Sequence, residues 1–175
     1  MCAACRKEIA TLDGMLNQQV IAPLDQRALG CLLLQLGCRV RSEPLLVDAA
    51  LNHVADAKHR LARLYALDGN INAARRWLRA APESPAAKAT EGYVLFKERR
   101  HRDAVMAFDD ALKQGLAGAE RQRALLYLGK SLHEDRRDDL AKPILEALSK
   151  EGTGSTFEAA AVHTLGHIEN PDDGH

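Results

Sequence analysis

The stretch Ala86–Gln114, AAKATEGYVLFKERRHRDAVMAFDDALKQ, reads as two short helices folded back on each other. The first carries Ala89, Gly92, Tyr93, Leu95 and Phe96; the second carries Ala104, Phe108, Ala111 and Leu112. Small residues at Gly92 and Ala104 let two helix backbones come close. Phe108 and Leu112, one turn apart, fill the space beside them. Alone, this is an ordinary helical hairpin.

Its spacing returns in the flanking sequence. Ala62, Ala74, Leu78 and Ala81 are separated by the same intervals as Gly92, Ala104, Phe108 and Ala111. Gly129, Ala141, Leu145 and Leu148 repeat them again. Three copies of a small–small–bulky–apolar pattern in register exceed what helical periodicity alone produces. Upstream, Leu29-Gly30, Leu33 and Gly37 match the first-helix half. There the twelfth residue on from Gly30 is Ser42, and the second helix is expected late, which makes this copy degenerate.

The pattern resembles the tetratricopeptide repeat, two antiparallel helices with the signature W-x2-L-G-x2-Y…A-x3-F…P. Leu128-Gly129 matches the L-G, and Leu132 takes the place of the tyrosine. Ala62 with Tyr65, and Gly92 with Leu95, fill the same positions. Ala104-x3-Phe108 is the second-helix signature as written; Ala74 pairs with Leu78 and Ala141 with Leu145. The chain lacks the initial Trp and steps by 30 and then 37 residues between copies. Pro143 falls inside a second helix and is expected to kink or shorten it.

The resemblance implies an all-α fold: an α-solenoid of three to four antiparallel helix pairs, with an extra N-terminal helix and a C-terminal capping helix. One domain covers residues 1–175. An N-terminal helix occupies 1–22 (Ala3 to Asn17, with Ile9, Leu12, Met15 and Leu16 on one side), and a degenerate repeat 23–54. Within the latter, a very apolar helix runs from Leu24 to Val40, then Ser42-Glu43-Pro44 reads as a cap before a helix from Leu45. Repeats follow at 55–84, 85–118 and 119–152, and a cap at 153–170. In the cap, Ser155 and Glu158 form a capping box ahead of Phe157, Ala161, Val162 and Leu165. The tail from Asn170 is expected to fray.

Composition supports helix and bounds function. The 175 residues are 46% hydrophobic but only 4% aromatic, so alanine and leucine must do the packing. Basic and acidic residues balance at 24 each, which removes the global attraction that non-specific nucleic-acid or membrane-surface binding uses. No apolar run is long enough to span a bilayer, and the N-terminus lacks the layout of a signal peptide. The expectation is a cytoplasmic chain with reduced thiols.

Catalytic motifs are missing: there is no G-x-S-x-G, P-loop or G-x-G-x-x-G. Asp109-Asp110 and Asp138-Asp139 are adjacent on helices and diverge, so neither is a carboxylate dyad. The expectation is a protein that is not an enzyme and holds no cofactor. Cys2 and Cys5 form a C-x-x-C, which keeps open a competing class, a zinc-binding or thiol-redox protein. Cys31 and Cys38 lie seven residues apart, read as buried small residues on one helical stripe. His163 and His167 have metal-ligand spacing on one helix, but no third ligand accompanies them; no metal is expected. The run Lys97–Arg102 reads as a solvated turn.

In tetratricopeptide proteins the first helix of each pair lines an inner groove that holds a partner segment. The resemblance implies that Arg27, His59, Arg63, Tyr93, Phe96, Lys97, Arg123, Lys130 and His133 face such a groove. Acidic residues are nearly missing from that set, with Asp56 and Glu134 at its edges. Cations with a few rings suit an acidic peptide or helix of a protein partner. An adaptor, scaffold subunit or chaperone follows, and in size and architecture the chain is similar to translocator-class chaperones of type III secretion. Self-association into a homodimer through the Leu24–Cys38 helix is a second reading.

Overall fold

Alanine and leucine with few β-branched residues give helix after helix, and a short turn with a left-handed residue stops the first helix of each hairpin. The structure, a computed structural model, describes residues 22–35, 37–151 and 155–170. Every regular element among them is helical: α1 (Pro23–Gln35), α2 (Arg39–Leu51), α3 (Ala57–Leu67), α4 (Ile71–Ala80), α5 (Pro85–Lys97), α6 (His101–Lys113), α7 (Gly118–Glu134), α8 (Asp138–Glu151) and α9 (Thr156–Glu169). None of these is long and apolar enough to cross a membrane. The helix expected over Ala3–Asn17, Cys2, Cys5, the break at Thr153-Gly154 and residues 171–175 lie outside the described residues.

Each helix packs on its sequence neighbours. In addition α1 touches α3, α3 touches α5, α5 touches α7, and α7 touches α9. No corresponding contact joins α2 to α4, α4 to α6 or α6 to α8. The first helices of the hairpins thus make one continuous layer, and the second helices are wedged along it. Leu46, Ala49, Leu61 and Leu64 anchor a buried cluster around α1–α3. Phe108, Leu128, Leu145 and Leu148 anchor a second one reaching from α3 to α9.

The close approaches are the ones the spacing implies. A Cβ on Gly92 would stand 2.9 Å from the Phe108 ring, and one on Gly129 would stand 2.6 Å from Leu145. The upstream hairpin does the same, with Leu46 2.9 Å from where a Cβ on Gly30 would be. Each pair is separated by the same 16 residues. Burying a Leu or Phe against a glycine contributes on the order of 2–3 kcal/mol through apolar area alone.

One turn geometry recurs in all four hairpins. Gly37, Gly69, Arg99 and Arg136 hold φ of 78°, 78°, 61° and 60°. The next residue donates its N–H back across the helix end each time: Cys38 to Leu33 O, Asn70 to Tyr65 O, Arg100 to Leu95 O and Arg137 to Leu132 O, at 2.8, 2.8, 3.0 and 2.9 Å. These are the long bonds of a Schellman ending, which satisfy carbonyls that the helix leaves free.

This turn corrects the helix boundaries read upstream. A single helix over Leu24–Val40 is not formed; Gly37 stops α1, and α2 begins at Arg39. Ser42 is no cap but a fully buried residue inside α2, and Pro44 is also internal to that helix. Cys31 and Cys38 accordingly do not share a helix: the first lies on α1 and the second in the turn, both half-buried. Pro143 likewise does not end its helix, which runs on to Glu151. Both prolines are exposed, so the carbonyl each leaves without a donor faces water. The N-cap at Ser155 is formed as expected, Ser155 Oγ accepting from the Glu158 N–H at 3.1 Å.

Candidate functional site

The layer of first helices brings α3, α5, α7 and α9 side by side, and their shared face collects charge around one carboxylate. Glu120, in the first turn of α7, accepts from Arg123 Nη1 at 2.6 Å and from Arg60 Nη1 at 3.4 Å. Arg63 Nη1 lies 3.6 Å away. Three guanidinium groups therefore surround one acid, leaving two positive charges in excess on a half-buried surface. Burial alone would raise the Glu120 pKa, but Arg123, Arg63 and Arg60 outweigh it and hold the carboxyl below its ordinary value. Arg63, 14% exposed, pays the opposite way: burial first, then Arg123, lowers its pKa to about 10. It remains a cation at neutral pH.

Rings floor the rest of this face. Tyr93 and Tyr127 meet edge to face with centroids 4.7 Å apart, and Phe96 meets Tyr127 at 5.2 Å. The Arg123 guanidinium lies 5.7 Å from the Phe157 ring centroid. Lys97 Nζ sits 5.6 Å above Tyr93, and Lys130 Nζ 5.7 Å above Tyr127. Lys130 holds its proton less tightly than usual, through burial and then through Lys97. A cleft of about 190 Å³ opens between Arg63, Tyr93, Arg123, Leu126, Tyr127 and Phe157. The Tyr93 hydroxyl is buried with no partner among the described residues.

The anticipated residues do not all stand alike. Arg63, Tyr93, Phe96, Lys97, Arg123 and Lys130 come together on this face. Tyr93, 3% exposed, is floor rather than a free ring. Arg27 continues the positive strip along α1: it and Arg60 both act on the Cys31 thiol, whose pKa burial raises and these cations lower. The Arg27 Nε is buried without a partner among the described residues. His59 is buried in α3 with Nε2 unpartnered among them, and burial and then Arg60 push its pKa down to about 4. His133 turns toward α8, with Nδ1 2.7 Å from Asp138 Oδ1. Gln35 lies on α1.

Sequence reasoning passed over Arg60, Glu120, Tyr127 and Phe157. Glu120 and Arg123 stand three apart on one helix, as do Arg60 and Arg63, a spacing that signals ion pairing or a shared face. That signal was present for both pairs. No local signal ties α3 to α7 across 60 residues.

A larger cleft, about 700 Å³, lies on the side of the second helices, where α4 and α6 do not touch. Three of its cations are paired: Arg75 with Glu98, Arg100 with Asp103 and Lys88 with Glu91. Among the described residues no three His, Cys, Asp or Glu side chains are grouped to hold a metal. The rings of His163 and His167 meet at 4.6 Å on α9. Comparison of the chain with protein-family models, with curated proteins and with solved structures found no match.

Proposed function

We propose that the four hairpins are successive units of one tetratricopeptide-like solenoid, and that the face of its first helices is a non-enzymatic groove for an acidic segment of a protein partner. The common turn, the three glycine-to-bulky contacts at one interval, and the chain of contacts among first helices support the repeat reading. The observation that carries the groove is the Arg60–Arg63–Arg123 cluster, for which Glu120 is the one acid within ion-pair distance among the described residues.

Guanidinium groups present flat forks of donors that match a carboxylate, and partial burial strengthens the attraction over its value in water. An acidic side chain would take the excess positive charge there. A neighbouring apolar side chain would rest in the cleft between Tyr127 and Phe157, and Lys97 and Lys130 would extend the contact along α5 and α7. Adaptor, scaffold subunit and chaperone all use such a surface in the same physical way.

The test is fluorescence anisotropy with a labelled Asp-rich peptide carrying one central Leu. Binding is expected to weaken as salt rises. Substituting Arg63, Lys97 and Lys130 together by Ala should weaken it by roughly tenfold or more, since each charged hydrogen bond contributes about 1.5–3 kcal/mol. Unchanged binding with an unchanged helical circular-dichroism spectrum would show the groove assignment to be wrong.

A further inference from the structure

The glycine positions on which second helices close have one more counterpart. Gly166 on α9 follows Leu165 as Gly129 follows Leu128, and it stands 37 residues beyond Gly129, the interval that separates Gly129 from Gly92. Gly30, Gly92 and Gly129 are each covered by a bulky side chain, whereas a Cβ on Gly166 would meet nothing within 4 Å. Beside it Val162 is 55% exposed, and Ala159, Val162 and His163 line an open cleft. Helix α9 packs on α7 and α8 through Ala161 and Thr164 and leaves this other face bare among the described residues.

The opposite end has a matching vacancy. Two residues beyond each small position stand Leu32, Leu64, Val94 and Ser131. The last three are buried, but Leu32 on α1 is 44% exposed. Seven residues earlier the same contrast holds: Ala57, Ala87 and Ala124 are buried and Asp25 is exposed. Helices α3, α5 and α7 each pack on a preceding second helix, and among the described residues none precedes α1.

Residues 1–21 carry the sequence of the missing element. Cys5, Ile9 and Leu12 have the small–bulky–apolar spacing of Ala104, Phe108 and Ala111, and of Ala141, Leu145 and Leu148. Cys5 precedes Gly30 by 25 residues, as Ala104 precedes Gly129. This is the register of a second helix that comes before α1.

We propose that residues 3–17 of one copy dock on the bare face of α9 of a second copy, with Ile9 seated over Gly166, so that copies join head to tail. The inference rests on the repeat reading above and is independent of what the groove binds. Because the two surfaces differ, the contact is heterologous and propagates to rings or open chains rather than stopping at a dimer.

Sedimentation of the full chain across a wide concentration range tests it. Mass should rise with concentration beyond two copies. Gly166→Trp enters open space, so it should keep the fold and block one end; Ile9→Asp with Leu12→Asp should block the other. Each variant alone should sediment as a monomer with an unchanged helical spectrum. An equal mixture should give a one-to-one dimer and nothing larger, because only one intact junction can form. A wild-type monomer at every concentration overturns the proposal, as does a mixture that stays monomeric. If Ile9→Asp with Leu12→Asp instead lowers the melting temperature of a monomeric chain, the segment packs on its own copy and the proposal fails while the repeat reading stands. Loss of acidic-peptide binding in a chain that still assembles would fault the groove alone.

Discussion

Arg99 and Arg136 hold the left-handed backbone that Gly37 and Gly69 hold in the other two hairpin turns. A side chain there crowds the following carbonyl, at about 1–2 kcal/mol, and glycine removes that crowding at some cost in unfolded-state entropy. Arg99→Gly and Arg136→Gly should each raise stability by roughly 0.5–1 kcal/mol, seen as a higher urea midpoint; a lower midpoint would contradict the turn geometry. Gly92→Leu should do the reverse, since its side chain would start 2.9 Å from Phe108; overpacking of that kind costs about 1–3 kcal/mol or more. His59 offers a pH test. Its pKa lies at about 4 when folded against 6.5 ordinarily, so between those values the unfolded chain binds more protons. Stability is therefore full above pH 6.5 and falls as the pH drops toward 4, by at most about 3 kcal/mol from this residue. Asp56 and Glu120 oppose the shift, Arg60 and Arg63 reinforce it. Denaturation of His59→Leu against pH should be flatter in that window than for the unaltered chain; parallel curves would refute the assignment. The contacts at Gly92 and Gly129 were legible in the sequence because one interval repeats, whereas the one at Gly30 was hidden by reading Ser42 as a cap. The left-handed arginines were not legible, because arginine carries no signature of positive φ.

At the scale of helices, successive hairpins are tied by a recurring ion pair. Arg39 on α2 reaches Asp68 at the end of α3 at 2.7 Å. Arg75 on α4 reaches Glu98 at the end of α5 through two bonds of 2.6 and 2.5 Å. Arg102 on α6 reaches Asp135 at the end of α7 at 3.0 Å. An acid at a helix C-terminus opposes the helix dipole, and the arginine offsets it. Surface pairs of this kind contribute about 0.2–1 kcal/mol. Glu98→Gln should lower stability by that order at low salt and by less near 1 M salt, where such pairs are screened; an equal loss at both would point to packing instead. The helix start at Ser155 was legible, whereas Ser84 and Asn70, which cap helices by accepting from the Ala87 and Ala73 N–H groups, were passed over. Helix boundaries were misread around Gly37, because the run ALGCLLLQLGC is apolar through the turn and hides it. Ser42 and Pro44 resemble a helix start but fall inside α2, where the small Ser42 takes the place that Ala104 and Ala141 take in the later hairpins.

Across the whole molecule, formal charge sums to +0, so the positive strip from Arg27 through Arg63 and Arg123 to Lys130 is made by arrangement. The spacing shared by Ala62, Gly92 and Gly129 placed Arg63, Tyr93, Lys97, Arg123 and Lys130 on helices that the structure brings side by side. It did not indicate that Glu120 would sit among the arginines, that Tyr93 would be floor, or that His133 would turn to Asp138, since those depend on contacts between helices. The central claim is that the first-helix face, and not the cleft beside α4 and α6, is the binding surface. Amide NMR of the isotope-labelled chain, titrated with the Asp-rich peptide, tests it most directly. Shifts should concentrate at Arg63, Tyr93, Lys97, Arg123 and Lys130. Shifts concentrated instead at Arg75, Leu78, Met106 and Asp110, or no shifts at all, would contradict it.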